Sequence, residues 1–212
     1  MIVRRNVALC VVCLLLGCTT LVVGKAPVTR VAPKAPSAGW WKHDVFYEIF
    51  VRSFADTDGD GIGDLNGVTA HLDDLKALGV DDLWLMPIFP SPSYHGYDVV
   101  DETGVNPQYG TVDDFARLIR EAHARHMHVI LDLVLNHTSD QNPWFVSSSS
   151  SPTAPKRAWY VWRDAPDDRW RRPWDDAEVW REKNGAYYLG LFTSKMPDLN
   201  LANEDVARAM IG

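Results

Sequence analysis

Residues 128–137 read HVILDLVLNH, in which the polar residues Asn136 and His137 follow an apolar run over 128–135. Two similar runs precede it, VFYEIFV at 45–51 and DLWLMPIF at 82–89. Short runs that are apolar at nearly every position are typical of parallel strands that are buried on both faces. The three runs therefore predict three strands of one parallel sheet.

Two helical patterns separate these runs. Between residues 112 and 122, apolar residues recur every three or four positions after Thr111, which is a suitable N-cap. The other pattern closes at Gly79, a residue suited to the left-handed end of a helix, and its apolar positions are Leu65, Val68, Leu72, Leu75 and Leu78. Strand and helix alternate, so the fold class is predicted to be α/β, built from βαβ units.

The alternation stops after residue 135. Residues 142–191 contain a run of Ser at 147–151, scattered Pro and six Trp, with no clean helical period. This composition predicts a loop-rich subdomain that follows the third strand. Residues 203–210 predict the start of another helix.

The charge balance excludes some partners. The chain has 21 basic and 28 acidic residues, a net charge of −7, and no basic cluster. An acidic surface of this kind argues against nucleic acid or an anionic lipid surface as the partner.

The first residues have the features of an export signal. Arg4 and Arg5 precede an uncharged apolar stretch over 7–23, which is the order of a secretory signal peptide. Residues 15–18 (LLGC) resemble the bacterial lipoprotein box, in which cleavage before the Cys leaves Cys18 to carry lipid. A plain cleaved signal and an uncleaved anchor are the alternatives.

A tether is expected to follow the signal. With residues 1–17 as signal peptide, residues 18–39 contain three Ala-Pro pairs and little to bury, which is typical of an extended linker. All three Cys lie at or before residue 18, so no internal disulfide is available to the exported body. We expect an exported membrane lipoprotein, held to the membrane through its lipid anchor.

An acidic loop at 56–64 reads DTDGDGIGD. Oxygen ligands at alternate positions, with Gly permitting a tight wrap, suit Ca²⁺. It is not an EF-hand, because Gly67 occupies the twelfth position, where a bidentate Glu is required. An acidic turn without an ion is the alternative. The candidate ligands are the carboxylates of Asp56, Asp58, Asp60 and Asp64 and the backbone carbonyl of Ile62.

Polar residues follow the second and third strands. Asn136 and His137 end the third run, and Tyr97 and Asp98 follow the second after one short loop. Parallel sheets bind ligands at the carboxyl ends of their strands, so both pairs are expected at one face. A ring beside a carboxylate suits a sugar, although structural or capping roles are equally open. Residues 195–200 (KMPDLN) read as a turn.

Taken together, these motifs resemble the α-amylase family of retaining glycoside hydrolases. The resemblance rests on FYEIFVRSF at 46–54, the acidic loop, GYD at 96–98, DLVLNH at 132–137 and MPDLN at 196–200. The chain is most similar to the branch that holds oligo-1,6-glucosidases, α-glucosidases and related α-amylases. The MPDLN spelling resembles a group that includes lipoprotein α-amylases.

The resemblance implies a partial TIM (β/α)8 barrel with a domain inserted after strand 3. Residues 40–137 would form the first three βα units, 138–200 the Trp-rich insert, and 201–212 the start of the return to the barrel. It also implies Ca²⁺ at the acidic loop and α-glucan oligosaccharides as substrate.

The resemblance implies a role for each strand-end residue. Tyr97 would stack on the sugar at the cleaved bond, and Asp98 and His137 would hydrogen-bond its hydroxyls. Asp132 and Asn136 would support the strand end.

The catalytic residues of the family have no counterpart in this sequence. A TIM barrel typically needs about 250 residues, and the family carries its nucleophile, acid/base and stabilising acid on the fourth, fifth and seventh strands. We therefore expect an N-terminal fragment that is inactive alone and folds poorly, because an open parallel sheet leaves an edge unpaired.

Two other functions stay open. One is a transglycosylase or isomerase of the same family, such as a trehalose synthase. The other is a non-catalytic sugar-binding lipoprotein that uses the Trp-rich segment.

Overall fold

The computed structural model describes residues 39–211. The predicted signal peptide 1–17, the lipidation site Cys18 and residues 18–38 of the predicted tether lie outside the described residues. Within residues 39–211, no helix is both long enough and apolar enough to cross a membrane.

Strands and helices alternate in the first part of the described chain and give way to a small antiparallel sheet. In chain order the elements are β1 (Phe46–Ile49), α1 (Leu65–Ala70), α2 (Leu72–Leu78), β2 (Asp82–Leu85), α3 (Val112–Ala124), β3 (His128–Leu131), α4 (Pro143–Ser150), β4 (Trp162–Arg163), β5 (Trp180–Lys183), β6 (Ala186–Leu189) and α5 (Glu204–Ile211).

The predicted parallel sheet is confirmed. Strands β1, β2 and β3 pair in that order and all run parallel. Glu48, Trp84 and Ile130 lie opposite one another across the three strands and project from the same face. Each strand has four residues, so the predicted runs of seven or eight overestimated the paired length.

Only one face of this sheet is covered among the described residues. Leu83 and Leu85 are fully buried in a cluster with Leu65, Leu72 and Leu118 from the helices. On the other face Trp84 and Ile130 are 38% and 37% exposed, beside Phe46 and the two Trp at 40 and 41. The prediction that the strands are buried on both faces is therefore wrong, because α1, α2 and α3 pack on a single side.

The first helical pattern forms two short helices instead of one. His71, with φ −103° and ψ 11°, separates α1 from α2. Leu78, expected to be buried, is 72% exposed, while Gly79 closes α2 in the left-handed conformation as predicted. Helix α3 is confirmed, and Thr111 and Asp114 form a reciprocal capping box at its start.

The later segment is more ordered than its composition suggested. Four residues of the Ser run form the second half of α4, which Asn142 caps by accepting from the Trp144 amide, so this part of the predicted loop-rich segment is helical. An antiparallel sheet with the order β4-β6-β5 follows. Aromatic side chains build its core, since Phe145 contacts Tyr188 at a ring separation of 4.9 Å. The predicted last helix is confirmed as α5.

Candidate functional site

The carboxylate of Asp132, the residue after β3, accepts hydrogen bonds from two side chains, one in β2 and one in the loop that follows β2. The Tyr97 hydroxyl donates to Oδ2 at 2.7 Å and the Trp84 indole N–H donates to Oδ1 at 2.7 Å. Burial and the adjacent Asp132 carboxylate raise the pKa of Tyr97 to about 12. The phenol is therefore protonated at neutral pH and acts as a donor, which fixes the orientation of its ring.

His137 joins the loops that follow β2 and β3. Its Nε2 lies 3.2 Å from the Tyr97 carbonyl oxygen, and its Nδ1 lies 3.2 Å from the Asn136 side-chain amide. A carbonyl only accepts, so we assign the proton to Nε2. The residue is 5% exposed, and burial lowers the pKa of His137. The ring is therefore neutral at pH 7, with one donor and one acceptor.

Asp98 lies in a cleft beside this pair. It is buried, and its Oδ1 accepts hydrogen bonds from the hydroxyls of Ser91, at 2.5 Å, and Ser93. From the described residues, Oδ2 accepts none. The other side of the cleft is formed by residues 193–196. The two sequence pairs expected at one face, Tyr97 with Asp98 and Asn136 with His137, are therefore brought together in the structure.

The structure adds Asp198, to which the sequence reasoning assigned no role. Its Oδ1 accepts from the Asn136 side-chain amide at 2.7 Å and its Oδ2 accepts from the Leu191 amide at 2.8 Å. Burial raises the pKa of Asp198 to about 6. The MPDLN motif was the available signal, but nothing in its spacing indicates that its Asp meets Asn136.

The acidic loop at 56–64 turns its carboxylates toward its own backbone. Asp56 accepts from the amides of Gly59 and Gly61, and these bonds lower its pKa. Asp64 caps α1 by accepting from the Gly67 amide and also accepts from Thr57. Burial raises the pKa of Asp64, but these hydrogen bonds outweigh it and the pKa lies below its usual value. Both groups are therefore ionised at neutral pH.

Three of the four predicted carboxylate ligands of calcium are grouped. Asp56, Asp58 and Asp64 each offer an oxygen within 4.8 Å of the others. The Asp60 carboxylate instead accepts from the Ile62 amide at 2.7 Å. A set of carboxylate oxygen donors fits a hard cation such as Ca²⁺.

Comparison with known proteins supports one family. The family model described as alpha amylase, catalytic domain, matches residues 48–212. Alpha-amylase 3 of Dictyoglomus thermophilum is 53% identical over 167 residues, which cover 79% of this chain and 32% of the relative. The chain spans about a third of the length of the curated relatives that it matches, and it matches their N-terminal part.

Solved structures agree with the sequence comparison. The α-amylase from H. orenii matches with a TM-score of 0.75 and 48% identity, covering 81% of this chain and 37% of that one. The isomaltulose synthase of Erwinia rhapontici NX5 matches with a TM-score of 0.75 and 44% identity, over 81% and 32% of the two chains. The three parallel strands thus correspond to part of the barrel of these enzymes, and the chain belongs to the α-amylase family of glycoside hydrolases.

Proposed function

We propose that this chain is the N-terminal part of a glycoside hydrolase that cleaves α-glucosidic bonds of starch-derived oligosaccharides with retention of configuration. The observation that carries the proposal is the 3.2 Å contact between His137 Nε2 and the Tyr97 carbonyl oxygen. It joins two loops at the carboxyl ends of neighbouring parallel strands, where this type of sheet binds ligands. Family membership and the names of the relatives support the chemistry.

In this proposal each polar group has a separate task. The ring of Tyr97, held by Asp132, stacks on the sugar, while Asp98 accepts from hydroxyls. The neutral His137 donates through Nε2 to a sugar hydroxyl. This hydroxyl then replaces the Tyr97 carbonyl as the hydrogen-bond partner of Nε2. Asn136 holds the far side of the site through its bond to Asp198.

The reacting carboxylates are proposed to come from the part of the relatives that this chain does not match. Retaining glycosidases need two carboxyl groups about 5 Å apart. We assign residues 40–137 to the first three barrel units, 138–200 to a domain inserted after the third strand, and 201–212 to the return to the barrel. The separate sheet β4-β6-β5 supports the assignment of the insert.

Hydrolysis of maltotriose tests this proposal. The 212-residue chain should release no glucose above a blank, and protein extended through any continuing reading frame should release product whose α-anomer appears first in NMR spectra. Tyr97→Ala and His137→Ala should each lower that rate, while His123→Gln, at an exposed position of α3, should not. Turnover by the 212-residue chain, or first release of the β-anomer, contradicts the proposal.

A second candidate, an isomerase or transglycosylase, is favoured by the match to isomaltulose synthase. Product analysis separates the two functions. An isomerase converts sucrose or maltose into another disaccharide, whereas a hydrolase yields monosaccharides.

We also propose that the acidic loop binds Ca²⁺. The grouped carboxylates of Asp56, Asp58 and Asp64 support this assignment. Ca²⁺ should raise the melting temperature of chelator-treated protein, and Asp58→Asn should reduce this increase. An equal increase in both proteins contradicts the proposal.

We propose that the protein is an exported bacterial membrane lipoprotein, periplasmic or at the cell surface, with lipid on Cys18. The LLGC sequence supports it. Cells that express the protein should incorporate labelled palmitate into it, and Cys18→Ser should abolish the label. Equal labelling of the two proteins, or none of the parent protein, contradicts the lipid anchor.

A further inference from the structure

A second cluster of ionisable residues lies at the opposite end of the parallel sheet from Tyr97 and His137. Asp82 and His128 are the first residues of β2 and β3 and lie opposite each other in register. Asp44 stands two residues before β1. One ligand atom from each of the three side chains lies within 4.8 Å of the other two.

The buried member of the cluster lacks a partner for one oxygen. The Asp82 side chain is 0% exposed, and its Oδ1 accepts from the His128 backbone amide at 2.9 Å and contacts Nδ1 of the same residue at 2.6 Å. Its Oδ2 is buried with no hydrogen-bond partner among the described residues. A buried carboxylate oxygen without a donor or cation is costly, so Oδ2 would be stabilised by a hydrogen-bond donor or a cation.

Asp44 supplies a second carboxyl group to the cluster. One oxygen of Asp44 lies within 4.8 Å of a ligand atom of Asp82 and of a ligand atom of His128. Asp81 also faces the cluster, but its carboxylate already accepts from the Val45 amide at 3.1 Å and pairs with Lys76 at 3.5 Å. Two carboxyl groups and one imidazole therefore meet at the starts of the three strands.

We propose that Asp44, Asp82 and His128 bind a divalent transition-metal ion, with Zn²⁺ as the best match. Zn²⁺ takes imidazole nitrogen and carboxylate oxygen together, whereas Ca²⁺ takes oxygen ligands. Asp44 and His128 are partly exposed, which leaves room for water at a fourth position. The ring of Trp40 packs on His128 with centroids 4.0 Å apart and restrains the imidazole.

The metal would replace the proton between His128 and Asp82. His128 Nδ1 and Asp82 Oδ1 are hydrogen-bonded in this structure, so a metal on Nδ1 requires the ring proton to lie on Nε2 and puts a cation beside the Asp82 carboxylate. Since the three ligands come from the starts of β1, β2 and β3, the ion would tie these strands together. This role is independent of the sugar site at the other end of the strands.

Zn²⁺ and Co²⁺ titrations of metal-stripped protein test the proposal. We expect one Zn²⁺ per chain by calorimetry, a rise in melting temperature on adding Zn²⁺, and visible Co²⁺ absorption that Zn²⁺ displaces. Asp82→Asn and His128→Gln should each lose the Co²⁺ spectrum at the concentration that saturates the parent protein.

Two matched controls keep the result specific. His123→Gln removes an exposed imidazole from α3, and Asp56→Asn alters the other carboxylate group, so both should retain the Co²⁺ spectrum. If Asp82→Asn does not fold, His128→Gln decides the question, because its side chain is partly exposed. The proposal is overturned if the parent protein gives no Co²⁺ spectrum, or if His128→Gln binds Co²⁺ as the parent does.

Discussion

Replacing Asp198 by Asn should remove one pH-dependent component of the stability. Asp198 is 5% exposed, and burial raises its pKa from 3.8 to about 6 despite hydrogen bonds from Leu191 and Asn136. Above pH 3.8 the folded protein therefore retains a proton that the unfolded chain releases. The resulting stabilisation is fully present below pH 3.8 and is lost as the pH rises through 6.

The size of this component follows from the pKa difference. Each pKa unit corresponds to about 1.4 kcal/mol, so a shift of about two units amounts to about 3 kcal/mol. The Asn variant carries no titrating proton. The difference in unfolding free energy between variant and parent should therefore change by about 2.4 kcal/mol in favour of the variant between pH 4 and pH 7, because the rest of the change falls below pH 4.

Urea denaturation of both proteins at pH 4, 5, 6 and 7 measures this difference. His137, whose pKa burial lowers, contributes the opposite slope as the pH falls below 6.5, but it does so in both proteins and cancels. Asp168→Asn, which removes a carboxyl group at an exposed position, is the matched control. A pH-independent difference for Asp198→Asn would refute the reasoning.

Three further predictions concern the fold. Leu83→Ala should lower the unfolding free energy by about 2–5 kcal/mol because Leu83 is fully buried. Leu78→Ala, at a 72% exposed side chain, should change it by under about 0.5 kcal/mol. Equal urea midpoints for the two variants would contradict this prediction. Gly63→Ala should strongly lower the melting temperature, because an added Cβ would lie 2.2 Å from the Val51 carbonyl oxygen. Thr111→Ala should cost about 1 kcal/mol and speed amide exchange at the start of α3, and unchanged exchange would argue against the capping box.

The sequence predicted features that depend on neighbouring residues. The capping box at Thr111 and the left-handed Gly79 involve groups within four positions of each other. The three apolar runs likewise correspond to the three strands. The helical period alone does not predict which side chains are buried, because burial depends on what packs against the helix. Leu78 fits the period and is still exposed.

The site shows the same division. The sequence indicated Tyr97, Asp98 and His137 because parallel strands present their carboxyl ends together. It did not assign a role to Asp198 or Asp82, whose environments depend on residues that are far apart in the chain. Asn136 lies 62 positions from Asp198, and His128 lies 46 positions from Asp82.

The sequence by itself determined the order of the three parallel strands and the helical segments between them, the helix ends at Thr111 and Gly79, the acidic loop and the residue types at the strand ends. Only the tertiary structure decided which polar groups meet, which carboxylates are buried, and which face of the sheet is open. The physical reason is that periodicity and capping record interactions along a few residues, whereas desolvation and charge pairing arise between segments that only folding brings into contact.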